Sequence, residues 1–277
     1  MSAFTEAYDA AMAAWPVPVR IHDLPSVFGT TRVYEAGPPD GRPMLLLPGG
    51  GATAASWYAT VGPLASAGSR VYAVDIICDR GRSVPSAQPV RTRPDLVTWL
   101  TAVMRALQIS KADLVGHSYG GWIAAHHAVH APDTVDRLLL LDASTVFTGF
   151  RRAYLLRSLP VFVQGPHAMR RLLNWETGGR ASGLWADIMC APEDGKAPRL
   201  VLPKRPSDVE LGALPKRTHI VIAGKARAHD PQEMQEQARR LAPAAVVEVL
   251  PEATHHTVPA QDAVAVNATL LRWLAEG

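Results

Sequence analysis

Apolar runs that never alternate with polar residues dominate this chain. They lie at 44–47 (MLLL), 69–76 (SRVYAVDI), 112–116 (ADLVG), within "VDRLLLLDAS" up to Asp142, at 218–223 (THIVIA) and at 245–250 (AVVEVL). A strand with one wet face would alternate. A strand with apolar residues at successive positions is covered on both faces, which is the condition of a parallel sheet sandwiched between helices. Segments of helical spacing separate the runs, at 56–67, 93–108, 119–130, 231–241 and 260–275; in the second of these the spacing is set by Leu96, Leu100, Val103 and Leu107. The first residues add a short amphipathic helix over 4–14, stopped by Trp15-Pro16, and strands over 18–23 and 27–36 with a turn at Phe28-Gly29-Thr30.

Between 145 and 212 this rhythm breaks. The segment follows a core strand and is rich in Arg, Leu, Trp and Pro. It reads as a mostly helical cap inserted over the carboxyl ends of the strands, where open α/β sheets place their sites. The expected organisation is therefore a core of residues 1–144 and 213–277 with a cap over 145–212. A length of 277 residues and 48% hydrophobic content suit one such domain.

Charge and cysteine content exclude several classes. The net charge is +3, and no continuous basic tract points to nucleic acid. Cys78 and Cys190 are far apart and not in metal-ligand spacing. The first residues lack the pattern of a signal peptide, and no stretch has the length of a membrane span, so a cytoplasmic location is expected. His126 and His130 are four apart on a helical segment, but no H-E-x-x-H pattern accompanies them, so no metal is expected.

The chemistry is concentrated in "LVGHSYGGWIAAHH", residues 114–127. Gly116-His117-Ser118-Tyr119-Gly120 fits G-x-S-x-G at the junction of a strand and a helix. A sharp turn there thrusts the serine oxygen outward, and the glycines let strand and helix approach without Cβ clashes. A serine hydroxyl needs a base, and "VVEVLPEATHHTVP" offers His255 and His256 in the loop after the last core strand. Adjacent histidines point differently, and His255 is the one chosen. Backbone N–H groups for a developing oxyanion are expected from Tyr119 and from Gly50 in "PGGGATAASW". No Gly-Lys-Ser/Thr follows those glycines, so a phosphate loop is not indicated.

These pieces, with "AYDAAMAAWPVP", "FGTTRVYEAG", "YAVDIICDRGRS" and "LLNW", cover nearly the whole chain in the right order. The sequence resembles the α/β-hydrolase superfamily, and within it the bacterial carboxylesterase-like serine hydrolases with a lid. The resemblance implies a mostly parallel eight-stranded sheet with helices on both faces, a Ser-His-acid triad, no cofactor, and cleavage of a carboxylic ester, thioester or lactone through an acyl-enzyme. Ser118 matches the family's nucleophile and His255 its base. Two departures stand out. Pro48-Gly49 replaces the usual His-Gly pair, which leaves the Gly50 N–H in place. The family's acid position after the seventh strand falls, in "IAGKARAHDP", on Arg227, which cannot accept an imidazole proton. Asp142, at the end of the sixth core strand, is the acid chosen, with Asp230 as the alternative and an imidazole held by a carbonyl or water as the remaining one. Asp230 also reads as a helix N-cap before Pro231.

The substrate expected is a small acyl compound. An apolar acyl pocket is expected from Trp122, Phe147 and Trp175, with Phe150, Leu155, Leu156, Phe162 and Trp185 as further candidates, and the Tyr119 side chain beside them. The cap arginines at 151, 152, 157, 170, 171 and 180, with Glu176 the only acid in that span, suit a solvated helix face or an acidic acyl carrier protein. An acyltransferase, a cyclase or a C–C lyase would use the same Ser-His pair. A binding protein without turnover is the remaining alternative.

Overall fold

The computed structural model describes residues 1–192 and 199–276. Its strands are β1 (Arg20–Ser26), β2 (Gly29–Ala36), β3 (Arg42–Leu47), β4 (Ser69–Val74), β5 (Val84–Pro85), β6 (Ala112–His117), β7 (Val135–Leu141), β8 (Thr218–Ala223) and β9 (Val246–Leu250). They form one sheet in the order β1-β2-β4-β3-β6-β7-β8-β9. The two-residue β5 pairs with β2 off this path, so the sheet has a ninth, accessory strand beyond the eight expected. From β4 to β9 every pairing along the path is parallel, while β1 and β2 run antiparallel.

The sheet has helices on both faces. Those in the core regions are α1 (Ala3–Ala13), α2 (Val61–Ser66), α3 (Arg93–Ala106), α4 (Ser118–His130), α11 (Pro231–Leu241) and α12 (Ala263–Ala275). Successive strand residues feed opposite layers. Leu45, Leu47, Leu114, Leu138, Leu140, Ile220 and Ile222 pack with residues of α3, α4 and α11. Met44, Leu46, Val115, Leu139, Leu141, Val221 and Ala223 pack with residues of α1, α2 and α12. The period of two is still present, but both faces need apolar side chains, which is why the sequence shows unbroken runs.

Between β7 and β8 lie α5 (Ser144–Phe147), α6 (Arg152–Ser158), α7 (Val161–Gln164), α8 (Pro166–Glu176), α9 (Leu184–Cys190) and α10 (Asp208–Gly212). No strand occurs there among the described residues. Leu173, Trp185, Ala186 and Met189 of α8 and α9 cluster with Ala260, beside Ala52 and Tyr58. The Arg80 guanidinium donates to the carbonyls of Ile188, Met189 and Ala191, fastening the carboxyl end of α9 to the loop after β4.

The helix expected over 56–67 is instead a 3-10 turn, Ala54–Ala59, followed by α2. Pro63 has no N–H to give to an earlier turn, and it fits only within the first turn of the helix that restarts at Val61. No helix of the described residues is long and apolar enough to cross a membrane.

Candidate active site

Strand β6 delivers its last residue, His117, directly to Ser118 at the start of α4. Ser118 has φ +49°, a left-handed conformation that costs an L-residue energy. The turn is tight enough that its glycines are obligatory. A Cβ on Gly116 would lie 2.5 Å from the Gly120 carbonyl oxygen, and one on Gly120 would lie 2.2 Å from the Leu47 carbonyl oxygen.

The Ser118 Oγ lies 2.9 Å from His255 Nε2. His255 sits in the loop after β9, and its Nδ1 lies 2.7 Å from Asp142 Oδ2. Asp142 follows β7 with φ +46°. Its Oδ1 also accepts from the Ala223 N–H at 2.8 Å. A carboxylate can only accept, so the Nδ1 proton belongs to His255, and Nε2 is left to accept from the serine hydroxyl. Three loops at the carboxyl ends of β6, β7 and β9 thus bring Ser118, His255 and Asp142 into one line.

Asp230 is not part of it. Its Oδ1 accepts from the N–H groups of Gln232 and Glu233, capping α11, and its Oδ2 pairs with Arg151 at 2.5 Å. The pull of Asp-Pro toward a helix N-cap places that carboxylate at the end of α11. Arg227 donates to the Trp175 carbonyl at 2.6 Å.

Two further histidines serve the line, and sequence reasoning missed both. His229 Nε2 lies 2.9 Å from each oxygen of Asp142. Burial opposes ionisation of Asp142, but His229 and His255 more than offset it and hold the carboxyl well below its ordinary range. Burial likewise opposes charging of His229, yet Asp142 outweighs that and raises it. His117 donates from Nε2 to the His255 carbonyl at 2.8 Å, and burial pushes its own pKa down to about 3. A Cβ on Gly49 would lie 2.7 Å from His117 Nδ1, so the glycine loop can pass over that ring only without a side chain.

A small cavity of about 30 Å³ adjoins Ser118. Gly49, Gly50, Ala52, Ser56, His117, His255, His256 and Pro259 line it, and Trp185, Ile188 and Met189 of α9 form its roof. The Gly50 N–H has no hydrogen-bond partner among the described residues. The Tyr119 N–H lies in the first turn of α4, where no intrahelical acceptor exists.

Trp122, Phe147 and Trp175, expected to form an acyl pocket, lie elsewhere. Trp122 is buried in the core and donates to the Lys204 carbonyl at 2.9 Å. Phe147 is buried in the same layer. The Tyr119 ring stacks on Trp122, and its hydroxyl donates to the Val201 carbonyl at 3.1 Å. Trp175 lies beneath Arg157 and Arg227 on the outer side of α8. Leu155 and Leu156 are exposed, and the Phe162 side chain lies outside the described residues. Trp122, Phe147 and Trp175 lie close in sequence to the site or the cap, but none of their side chains lines the cavity at Ser118. Two candidates do stand at the site: Trp185 lines the cavity, and the Phe150 ring packs edge-on against the His255 imidazole with centroids 6.2 Å apart.

His256 points away from Ser118, with its Nε2 2.9 Å from the Tyr154 hydroxyl. Burial, with His255 beside it, lowers its pKa to about 4. The backbone N–H groups of His255 and His256 both donate to the buried carboxylate of Glu176, at 3.0 and 3.2 Å. A larger cleft of about 710 Å³ lies behind Glu176, among Arg151, Arg180, Lys225 and Arg227, and includes none of the three aligned residues. His126, His130 and Glu210 form a group with metal-compatible spacing, although Ser207 and Arg93 also engage the Glu210 carboxylate.

The sequence profile of the Alpha/beta hydrolase family matches residues 44–269. Carboxylesterase YbfK of Bacillus subtilis is 34% identical over 147 residues, which is 53% of this chain and 49% of that protein. The carboxylesterase nap of the same organism is 29% identical over 172 residues, 62% of this chain and 56% of that protein. The matched sequence thus spans about half the length of these curated relatives. In three dimensions the likeness is more complete. The crystal structure of carboxylesterase CesB (YbfK) superposes with TM-score 0.87 at 26% identity, covering 99% of this chain and 98% of the other. That of naproxen esterase from Bacillus subtilis shares the fold with TM-score 0.86 at 24% identity, covering 98% and 96%.

Proposed function

We propose, from the premise that this chain belongs to the alpha/beta hydrolase family, that it is a serine esterase cleaving a carboxylic ester through an acyl-enzyme on Ser118. The observation that carries this reading is the unbroken line of Ser118, His255 and Asp142 at 2.9 and 2.7 Å, opening onto a cavity beside the Gly50 and Tyr119 N–H groups. Relatives named as carboxylesterases support the choice of ester. Thioesters and lactones present the same acyl carbon to the same nucleophile.

His255 Nε2 takes the Ser118 proton as the oxygen attacks the ester carbonyl. The carbonyl oxygen gains the electron pair and is met by the N–H groups of Gly50 and Tyr119. As the tetrahedral intermediate collapses, the C–O bond to the leaving group breaks and His255 returns its proton to the departing alkoxide. Water then repeats the sequence on the acyl-serine, giving the acid and free Ser118. Asp142 holds His255 in the required tautomer and stabilises the imidazolium.

We read residues 1–144 and 213–277 as the catalytic core and 145–212 as a lid, because α9 supplies the cavity roof. The cap arginines offer an acidic partner less than their number suggests. Arg151, Arg170 and Arg180 are paired within the chain to Asp230, Asp187 and Asp262. Kinetics of Ser118→Ala on p-nitrophenyl acetate test the assignment. A loss of about a thousandfold or more in kcat is expected, and near-normal turnover would refute it.

A further inference from the structure

Helix α8 buries one face through Ala168, Leu172, Leu173 and Glu176. A carboxylate on that apolar stripe is costly unless its oxygens are satisfied. Here they are satisfied entirely by backbone. Glu176 Oε1 accepts from the His255 N–H at 3.0 Å and the Arg227 N–H at 3.2 Å, and Oε2 accepts from the His256 N–H at 3.2 Å. The residue itself is fully buried.

We infer that Glu176 is a positioning residue through which the 145–212 segment fixes the imidazole of His255. His255 is then held at four points: its N–H by Glu176, its carbonyl by His117, its Nδ1 by Asp142 and its Nε2 by Ser118. Three of these partners come from the sheet side. Glu176 alone comes from the segment whose α9 roofs the cavity. Displacement of that segment would therefore release the base as well as open the cavity, so that its seating sets both substrate access and the geometry of proton transfer. Misplacement of a base by about 1 Å can cost two orders of magnitude in rate.

This role rests on the reading of His255 as the base. It is tested with Glu176→Gln and Glu176→Ala on p-nitrophenyl acetate, with active sites counted by a fluorophosphonate and Ser118→Ala run alongside. Glutamine keeps the shape and one acceptor oxygen but sets an NH₂ against a backbone donor. Alanine removes the acceptors altogether. The expected result is a kcat per titrated site lowered about tenfold in E176Q and about a hundredfold in E176A, with KM within about twofold of wild type. A merely structural carboxylate would reduce the titratable fraction and the Tm while leaving kcat per site unchanged. If S118A is inactive and both Glu176 variants turn over at the wild-type rate per site, the positioning role is overturned and the esterase reading stands. If S118A hydrolyses the ester normally, both fall.

Discussion

The imidazole of His229 lies 2.9 Å from both carboxylate oxygens of Asp142, the same carboxylate that accepts from His255. With the Ala223 N–H on Oδ1, this donor locks the carboxylate plane so that Oδ2 faces His255 Nδ1. His229→Gln retains an N–H donor at similar reach and should keep kcat within about twofold. His229→Leu removes this donor, leaving only the Ala223 N–H on Oδ1, and should lower kcat about tenfold, the usual scale for losing an orienting hydrogen bond. Steady-state kinetics of both variants check this, and equal rates in the two would contradict it.

The same pair carries a pH signature. His229 is raised in the fold above its ordinary 6.5. The stability it contributes is full below that ordinary value and lost as pH rises through the folded one. The Tm advantage of wild type over H229Q should therefore be larger near about pH 6 than near about pH 9. A difference independent of pH would show that His229 is uncharged in the fold.

Four other histidines predict the opposite behaviour in acid. Burial lowers His117 to about 3, and lowers His126, His127 and His256 to about 4. Their stability contribution is present above the ordinary 6.5 and is lost as pH falls from there toward the folded values, because the unfolded chain takes up protons that the folded chain refuses. Each group adds a slope of up to about 1.4 kcal/mol per pH unit. Denaturant titrations between about pH 7 and pH 5 should show a steep fall in unfolding free energy. A flat profile would mean that these rings are charged in the fold.

The two candidate acids separate cleanly. Asp142→Asn removes the acceptor that sets the His255 tautomer, and kcat should fall about 10⁴-fold. Asp230→Ala removes the α11 cap and should cost about 1 kcal/mol of stability with kcat unchanged. Kinetics paired with thermal melts distinguish them, and a reversed pattern would move the acid to Asp230.

The cavity beside Ser118 holds about 30 Å³, and Met189 forms part of its wall. Met189→Ala should raise the kcat/KM ratio of p-nitrophenyl butyrate to acetate severalfold. An unchanged ratio would mean that the acyl chain lies elsewhere.

How much of this was legible in the sequence follows from what each residue answers to. The bounds of β8 and α11 match the sequence reading residue for residue, because Asp230-Pro231 starts the helix and the apolar Ile220–Ala223 run of β8 ends at Gly224. Gly116, Ser118 and Gly120 were legible because their spacing is dictated by contacts within a few residues. His229 was not, since its partner lies 87 residues away and nothing local marks the pairing. Trp122, Phe147 and Trp175 were misplaced because nearness in sequence does not give helix phase relative to Ser118. Glu176 left a trace as the lone acid of its span, yet that trace was read for surface charge, when its place on the apolar stripe of α8 held the information.

Trapping the acyl group tests the central claim most directly. Acid-quenched reactions of wild type and S118A with p-nitrophenyl butyrate, digested and analysed by mass spectrometry, would report any covalent intermediate. The account predicts a butyryl adduct on the peptide containing Ser118 in wild type and none in S118A. Continued ester turnover by S118A, or an acyl adduct confined to another residue, would contradict it.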